Sequence, residues 1–292
     1  MISISSRRAP IAVVFAMSLV HGVGVAAVAR AQQTQNALFT MQADGSDVRK
    51  VIQVEGCYDH SGPRWSHDGK WLSFYASRTG GGGRRVFVVR TDGSELREIA
   101  AGTLPDWSPD DKQLVFQEPP GANVPNICVQ NLDGQGREIV THGFSPRWSP
   151  DGSLLAISDR RGVQLIDLVN GGETAAFDEP FQEVFIGMCW SADSKQLAVV
   201  VRPAEGEKRQ IRFVSAQGSK QGMRVRLKGE MGGVISFSPD GKRLIFSDGF
   251  LLRFVDVEGD SPGRMFPDQK GKCWHPAYSP DGKQIAFVST RQ

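Results

Sequence analysis

Histidines, arginines and a recurring serine–aspartate pair are the residues of this chain whose types could carry chemistry. His60, His142 and His275, with Asp59 or Asp106, could form a metal site, because imidazoles from separate segments can complete a tetrahedral shell. No two of them stand at a local ligand spacing, so the sequence assigns neither a metal nor a cofactor. Six serines (Ser66, Ser108, Ser149, Ser191, Ser238 and Ser279) each precede an aspartate by two positions. A serine nucleophile would need a Gly-x-Ser-x-Gly elbow, and the chain has none. The six serines share one local setting, which is what a turn-forming residue looks like, and no catalytic residue is expected.

The spacing of those serines shows what must position everything else. They stand 42, 41, 42, 47 and 41 residues apart, each after an aromatic residue (Trp65, Trp107, Trp148, Trp190, Phe237, Tyr278). The fullest copy is Pro146-Arg147-Trp148-Ser149-Pro150-Asp151-Gly152. A period near forty predicts one four-stranded blade per copy, hence an all-β, six-bladed β-propeller. The aromatic-serine pair ends a strand, Pro-Asp-Gly turns the chain, and an alternating strand such as Leu72/Phe74 or Leu244/Phe246 follows. Asp111 and Ser194 replace the glycine of this turn. Serine in a left-handed conformation costs on the order of 1 kcal/mol, so those two hairpins should be less regular.

Pro-x-Trp-Ser-Pro-Asp-Gly-Lys, followed by a strand and a second strand ending in Asp-Gly, resembles the repeat of the TolB-type propellers, and Leu38–Gly45 is similar to that family's third-strand ending. The likeness covers residues 37–291 and implies a propeller with an envelope-protein partner. TolB itself carries an α/β domain ahead of its propeller, for which this chain has no room. Ser-x-Asp-Gly also resembles the aspartate box of sialidases. Those enzymes need a tyrosine nucleophile, and only Tyr58, Tyr75 and Tyr278 are present, the last already in a motif position.

Residues 1–31 read as an export signal, and residues 32–292 as the propeller. Arg7 and Arg8 precede an apolar run from Ile11 to Val28, and Ala29-Arg30-Ala31 offers a cleavage site. The run is long enough for an anchor, but Gly22, Gly24 and His21 favour removal and a periplasmic or secreted product without stable membrane insertion. Cleavage would take the net charge from +2 to about −1, which argues against nucleic acid as a partner. Of the four cysteines, Cys57 and Cys273 enter neighbouring blades and are the one pair that could be bridged, while Cys128 and Cys189 are core fillers. The sixth block supplies two strands before Gln292, and Leu38–Gln42 with Val48–Val54 supplies two more, so blade six should close from both chain ends.

The segments entering each first strand should meet around the channel. The expected funnel is Asp59, His60, Arg64, Asp106, His142, Arg147, Glu183, Trp274 and His275, flanked by Tyr58, Leu104, Phe144, Phe185, Met231 and Lys272. Aromatics mixed with both charge signs suit a non-catalytic protein- or peptide-binding face. The alternative is a metal-dependent propeller hydrolase or lyase using the funnel histidines.

Overall fold

The computed structural model describes residues 35–119, 124–159, 162–176, 183–202, 209–217, 224–226, 231–258 and 263–292. The expected signal at 1–31 and most of blade four's insertions lie outside the described residues. The N-terminal segment contributes β1 (Ala37–Gln42) and β2 (Arg49–Ile52). Blade one is β3 (Cys57–Trp65), β4 (Trp71–Arg78), β5 (Arg84–Arg90) and β6 (Arg97–Ala101). Blade two is β7 (Thr103–Trp107), β8 (Gln113–Gln117), β9 (Asn126–Asn131) and β10 (Glu138–His142). Blade three is β11 (Phe144–Trp148), β12 (Leu154–Asp159), β13 (Gly162–Asp167) and β14 (Glu173–Ala175). Blade four is β15 (Glu183–Trp190), β16 (Gln196–Arg202), β17 (Gln210–Ser215) and β18 (Arg224–Arg226). Blade five is β19 (Met231–Phe237), β20 (Arg243–Asp248), β21 (Leu251–Asp256) and β22 (Arg264–Met265). The last sheet combines β23 (Cys273–Tyr278) and β24 (Gln284–Ser289) with the first two strands, in the order β2-β1-β24-β23.

Within that last sheet β1 runs antiparallel to β24, with Leu38 opposite Val288 and Phe39 opposite Phe287. Alternation along a strand sends successive side chains to opposite faces, and here both faces are buried. Leu38 joins Leu72, Phe74 and Val89 between blades six and one, while Phe39 and Met41 join Ile245, Leu252 and Phe266 between blades five and six. The same division recurs in blade one: Phe87 and Val89 face blade six, whereas Val86 and Val88 face Trp107, Leu114 and Phe116 of blade two. The core is therefore a circle of wedges, each held between two neighbouring sheets.

The repeated turn is built identically in all six blades. Each serine hydroxyl donates to the aspartate two residues on, at 2.6–2.7 Å, and accepts the backbone N–H five residues on, at 2.9–3.0 Å. The serine's hydrogen bond holds the Asp110, Asp193, Asp240 and Asp281 carboxyls below their ordinary pKa. These groups are spent on the fold.

The hairpins at Asp111 and Ser194 are as regular as the others, contrary to expectation. Both residues adopt the left-handed φ (+57° and +60°), and their N–H groups bond Ser108 and Ser191 at 2.9 and 3.0 Å, matching Gly69 to Ser66 at 3.0 Å. Their side chains reach the preceding blade. The Asp111 carboxylate accepts the N–H groups of His67 (2.7 Å) and Asp68 (2.8 Å), and Ser194 Oγ accepts that of Asp151 (3.0 Å). Blade one has His67 where most copies have proline, so it presents an extra N–H that Asp111 satisfies. Asp111→Gly should therefore destabilise the protein by about 1 kcal/mol: relief of the strained φ is outweighed by two lost charge-assisted bonds. Urea unfolding of the variant tests this, and a gain in stability would contradict it.

Candidate functional site: the channel and its mouth

The inner strands β3, β7, β11, β15, β19 and β23 surround the channel, and they start earlier than the sequence suggested. Tyr58, Asp59, His60, Leu104, Phe144, Trp274 and His275 thus lie on these strands, not in loops ahead of them. Each inner strand slips register against its neighbour. In four blades the residue before a proline takes a left-handed φ: Gly62 (+61°), Leu104 (+54°), Ser145 (+55°) and His275 (+53°). For the three non-glycine residues this costs roughly 1–2 kcal/mol each. Such bulges re-aim side chains at the rim of a sheet. Blade four has Gly187 at this position, without a left-handed φ, and blade five has Val234; a Cβ on Gly187 would fall 2.1 Å from the Gly233 carbonyl oxygen. Only glycine permits that approach of β15 to β19.

The position preceding each motif aromatic carries Arg64, Asp106, Arg147, Cys189, Ser236 and Ala277 around the ring. The aromatics tie blade to blade: the indole N–H groups of Trp65, Trp107 and Trp190 donate to the carbonyls of Ala277, Arg64 and Arg147 at 3.0–3.1 Å. Asp106 Oδ2 accepts the Trp148 N–H at 2.9 Å, and Ser236 Oγ that of Tyr278 at 3.1 Å.

Charge gathers at the channel's core. Arg64 and Arg147 are 8% and 3% exposed, so both are interior groups and not the surface contacts their residue type suggests. Arg147 donates from Nε to the Met188 carbonyl (3.1 Å) and from Nη1 to that of Pro146 (2.6 Å). Burial, then the nearby Arg64 charge, pushes its pKa down to about 9, with Asp106 acting in the opposite sense, so it stays cationic at neutral pH. His275 is pushed down to about 4 by burial, then by Arg64 and Arg147, and is neutral. Its Nδ1 accepts the Gly62 N–H at 3.2 Å, which places the ring proton on Nε2. Burial lifts the Cys189 thiol to about 12 and raises Tyr75 above its usual value.

The remaining expected site residues separate. His60 is fully buried and leaves the funnel: Nε2 accepts the Val54 N–H at 3.0 Å, Nδ1 meets Asn36 Oδ1 at 3.1 Å, and the ring stacks on Phe74. Both ring nitrogens are engaged, so it offers no ligand atom. His142 is exposed at the end of β10, an outer strand and not an inner one. The three histidines therefore have unrelated surroundings, and among the described residues no group of three His, Cys, Asp or Glu could hold a metal. Asp59 pairs with Arg84 at 3.5 Å, and burial raises its pKa. Glu183 opens β15 opposite Arg202. All four cysteines are buried and free, Cys57 and Cys273 included.

At the channel mouth the structure adds a residue outside the expected funnel. Phe250, half-exposed in the hairpin between β20 and β21, meets Trp274 edge-on with ring centroids 6.1 Å apart. Lys272 Nζ lies 4.4 Å from the Phe250 ring centre. The hairpin is fixed to β23 by the Cys273 N–H, which donates to the Phe250 carbonyl at 2.8 Å. Two successive apolar residues, Phe250 and Leu251, just after an Asp-Gly turn were the available signal. A cavity of about 530 Å³ at the motif turns of blades five and six lies at the other end of the strands. Its acids are already engaged, Asp240 and Asp281 by serines and Asp256 by Arg243 and Arg264.

No family model matches the chain. An uncharacterized protein of Agrobacterium fabrum is 34% identical over 83 residues, a stretch covering 27% of each protein. TolB from Acinetobacter baumannii superposes with a TM-score of 0.66 at 20% identity, over 84% of this chain and 66% of that one, so the chain spans about two thirds of that protein. A protein described as a TolB from Agrobacterium tumefaciens gives 0.68 at 18% identity, over 87% and 98%. An oligogalacturonate lyase from Vibrio parahaemolyticus gives 0.52 at 10% identity, over 88% and 98%. The ring and its channel define a propeller scaffold. Its fold is the six-bladed β-propeller of TolB type.

Proposed function

We propose that this chain is a non-catalytic binding scaffold of the cell envelope, exported by residues 1–31, that captures a protein or peptide partner on its channel mouth. The observation that carries the reading is the Trp274–Phe250–Lys272 platform, a half-exposed Phe250 edge-on to the partly buried Trp274 with a cation beside it, held by two adjacent blades. Aromatic anchors fixed in advance lose little entropy on binding and dominate interface energies. The likeness to TolB structures supports a scaffold reading by analogy of fold. A metal-dependent hydrolase or lyase draws no support from the histidines, because His60 uses both ring nitrogens and His275 its Nδ1 for the fold, and His142 stands apart on an outer strand.

The test exposes the envelope fraction of the source cell to immobilised protein. Phe250→Ser combined with Lys272→Glu should reduce partner capture by roughly tenfold or more. Melting should change little, since both side chains lie outside the wedges of the core. Arg147 is unsuitable for this test because its loss would strip two buried carbonyls of their donor. An unchanged capture profile would refute the assignment of this face.

A further inference from the structure

Arginine carries its hydrogen-bonding power in a fork: Nε–H and one Nη–H lie parallel and match the two oxygens of a carboxylate. In Arg64 that fork is unused. Its Nε and Nη2 atoms are both buried and have no hydrogen-bond partner. Ser73 stands directly opposite Arg64 in the β3–β4 ladder, so the two side chains share a face, and Ser73 Oγ is also buried without a partner. Three polar atoms on one side of blade one thus lack partners, and among the described residues Arg64 is the arginine in which both atoms of the fork, Nε and Nη2, do so. Leaving such atoms unpaired is costly. Of the equivalent positions in the other blades only blade three also holds arginine, and there Arg147 spends Nε and Nη1 on the Met188 and Pro146 carbonyls, a use Arg64 does not make of its Nε.

The charges around this point favour an anion. Arg64 on β3 and Arg147 on β11 are cations, and among the described residues Asp106 on β7 is the carboxylate that acts on Arg147, while Asp59 acts on Tyr75 together with its ion-pair partner Arg84 and adds no net charge. His275 on β23, Cys189 on β15 and Tyr75 on β4 are neutral at pH 7. Two positive charges against one negative leave a net charge of about +1 in a low-dielectric interior, where an uncompensated charge is expensive. A monoanion cancels it, whereas a phosphate dianion would overshoot and leave a buried negative charge. Arg64 keeps 8% of its surface accessible. The fork itself is covered, so a ligand engages it by turning the guanidinium about its terminal torsions.

We infer that Arg64 and Ser73 form a receptor for a single carboxylate at the core of the channel, with Arg64 Nε–H, Arg64 Nη2–H and Ser73 Oγ–H as donors. Two sources share this chemistry: a small free carboxylic acid, and a carboxylate projected into the channel by a partner bound at the mouth. The second source rests on the binding-face reading above; the site itself does not. Occupancy would also weaken the positive field on His275, so its protonation midpoint should rise when the site fills.

The experiment observes the Arg64 Nε–H resonance in full-length protein labelled with ¹⁵N-arginine, assigned by its disappearance in Arg64→Lys. The probes are sodium propionate, propionamide, and an acetylated, amidated Gly-Glu-Gly tripeptide with its Gln counterpart, at constant ionic strength set with sodium chloride. Propionate should shift the signal saturably with a millimolar Kd and raise the His275 midpoint, while propionamide does neither. Ser73→Ala should weaken propionate binding several-fold with the fold intact. Arg64→Lys keeps the charge but loses the fork, and should weaken the propionate-induced His275 shift by roughly tenfold. Tripeptide binding roughly tenfold tighter than propionate, and lost with Gln, would assign the carboxylate to a partner; equal affinities would assign a free acid. An Arg64 signal that ignores propionate, or responds equally to propionamide, overturns the receptor. This result is independent of partner capture, because Phe250→Ser with Lys272→Glu leaves the carboxylate site untouched.

Discussion

Deletion of residues 32–55 should abolish cooperative unfolding and convert the protein to an aggregating species. The segment carries β1 and β2, which complete the sheet begun by β23 and β24. Its loss removes the buried side chains of Ala37, Leu38, Phe39 and Met41 from two wedges at once, those facing blades five and one. At roughly 1.5–3 kcal/mol for each of the three large side chains, that is about 5–9 kcal/mol, comparable with the whole stability of a typical domain. The deletion also exposes the full length of β24 as an unpaired edge, with Ile285 and Phe287 beside it. It removes Asn36 and Val54 as well, the partners of buried His60. Differential scanning calorimetry with size-exclusion chromatography provides the measurement. A truncated protein that stays monomeric and melts at the temperature of the full chain would show that the ring does not depend on these strands.

Why so much of the ring was legible follows from its repetition. Each blade must end its first strand, turn and start its second in the same geometry, so the same small set of residues recurs at Ser66, Ser108, Ser149, Ser191, Ser238 and Ser279. Departures were harder to weigh. Asp111 looks like a defect within its own hairpin, and its purpose is visible only against His67 one blade earlier. A compensation between residues more than forty positions apart leaves no local pattern.

The candidate site was legible in part, and the failures have a common cause. Residue type suggested exposure for Arg64, Arg147 and His60, yet an inner propeller strand has almost no solvent side, so even charged residues there become interior groups. His60 illustrates the point: a histidine near the channel entrance serves as a joint between Asn36, Val54 and Phe74. Phe250 was missed for the opposite reason. It lies on the connection between second and third strands, some twenty residues before the first-strand entry at Cys273 and Trp274 that it packs against. The β-bulge geometry that turns Leu104, Ser145 and His275 toward left-handed φ was also invisible, because a residue before proline is ordinarily extended.

Stability should fall in two separate steps as the pH is lowered, and His60 should account for much of the first. Burial, then the charge of Lys50, pushes its folded pKa down to about 4 from an ordinary value near 6.5. Between those two values the unfolded chain binds a proton that the folded protein refuses, so acidification favours unfolding. The contribution is fully present above pH 6.5, declines through that window and has gone by about pH 4. The drop from 6.5 to about 4 corresponds to roughly 3 kcal/mol. His275 acts in the same direction, its folded pKa likewise pushed down to about 4 by burial and then by Arg64 and Arg147. The turn aspartates behave differently: their folded pKa values lie below the ordinary 3.8, so the stability they add persists above that value and disappears only as pH falls further. Urea midpoints measured from pH 7 to pH 3 should therefore decline first between about 6.5 and 4, then again below 4. In His60→Gln the protein should be weaker at pH 7, since the amide fills the site imperfectly, but its stability should fall less across the first window, where the share due to His275 remains. A wild-type profile that is flat between pH 6.5 and 4, or a His60→Gln profile parallel to it, would show that burial of this imidazole is not what links the fold to protons.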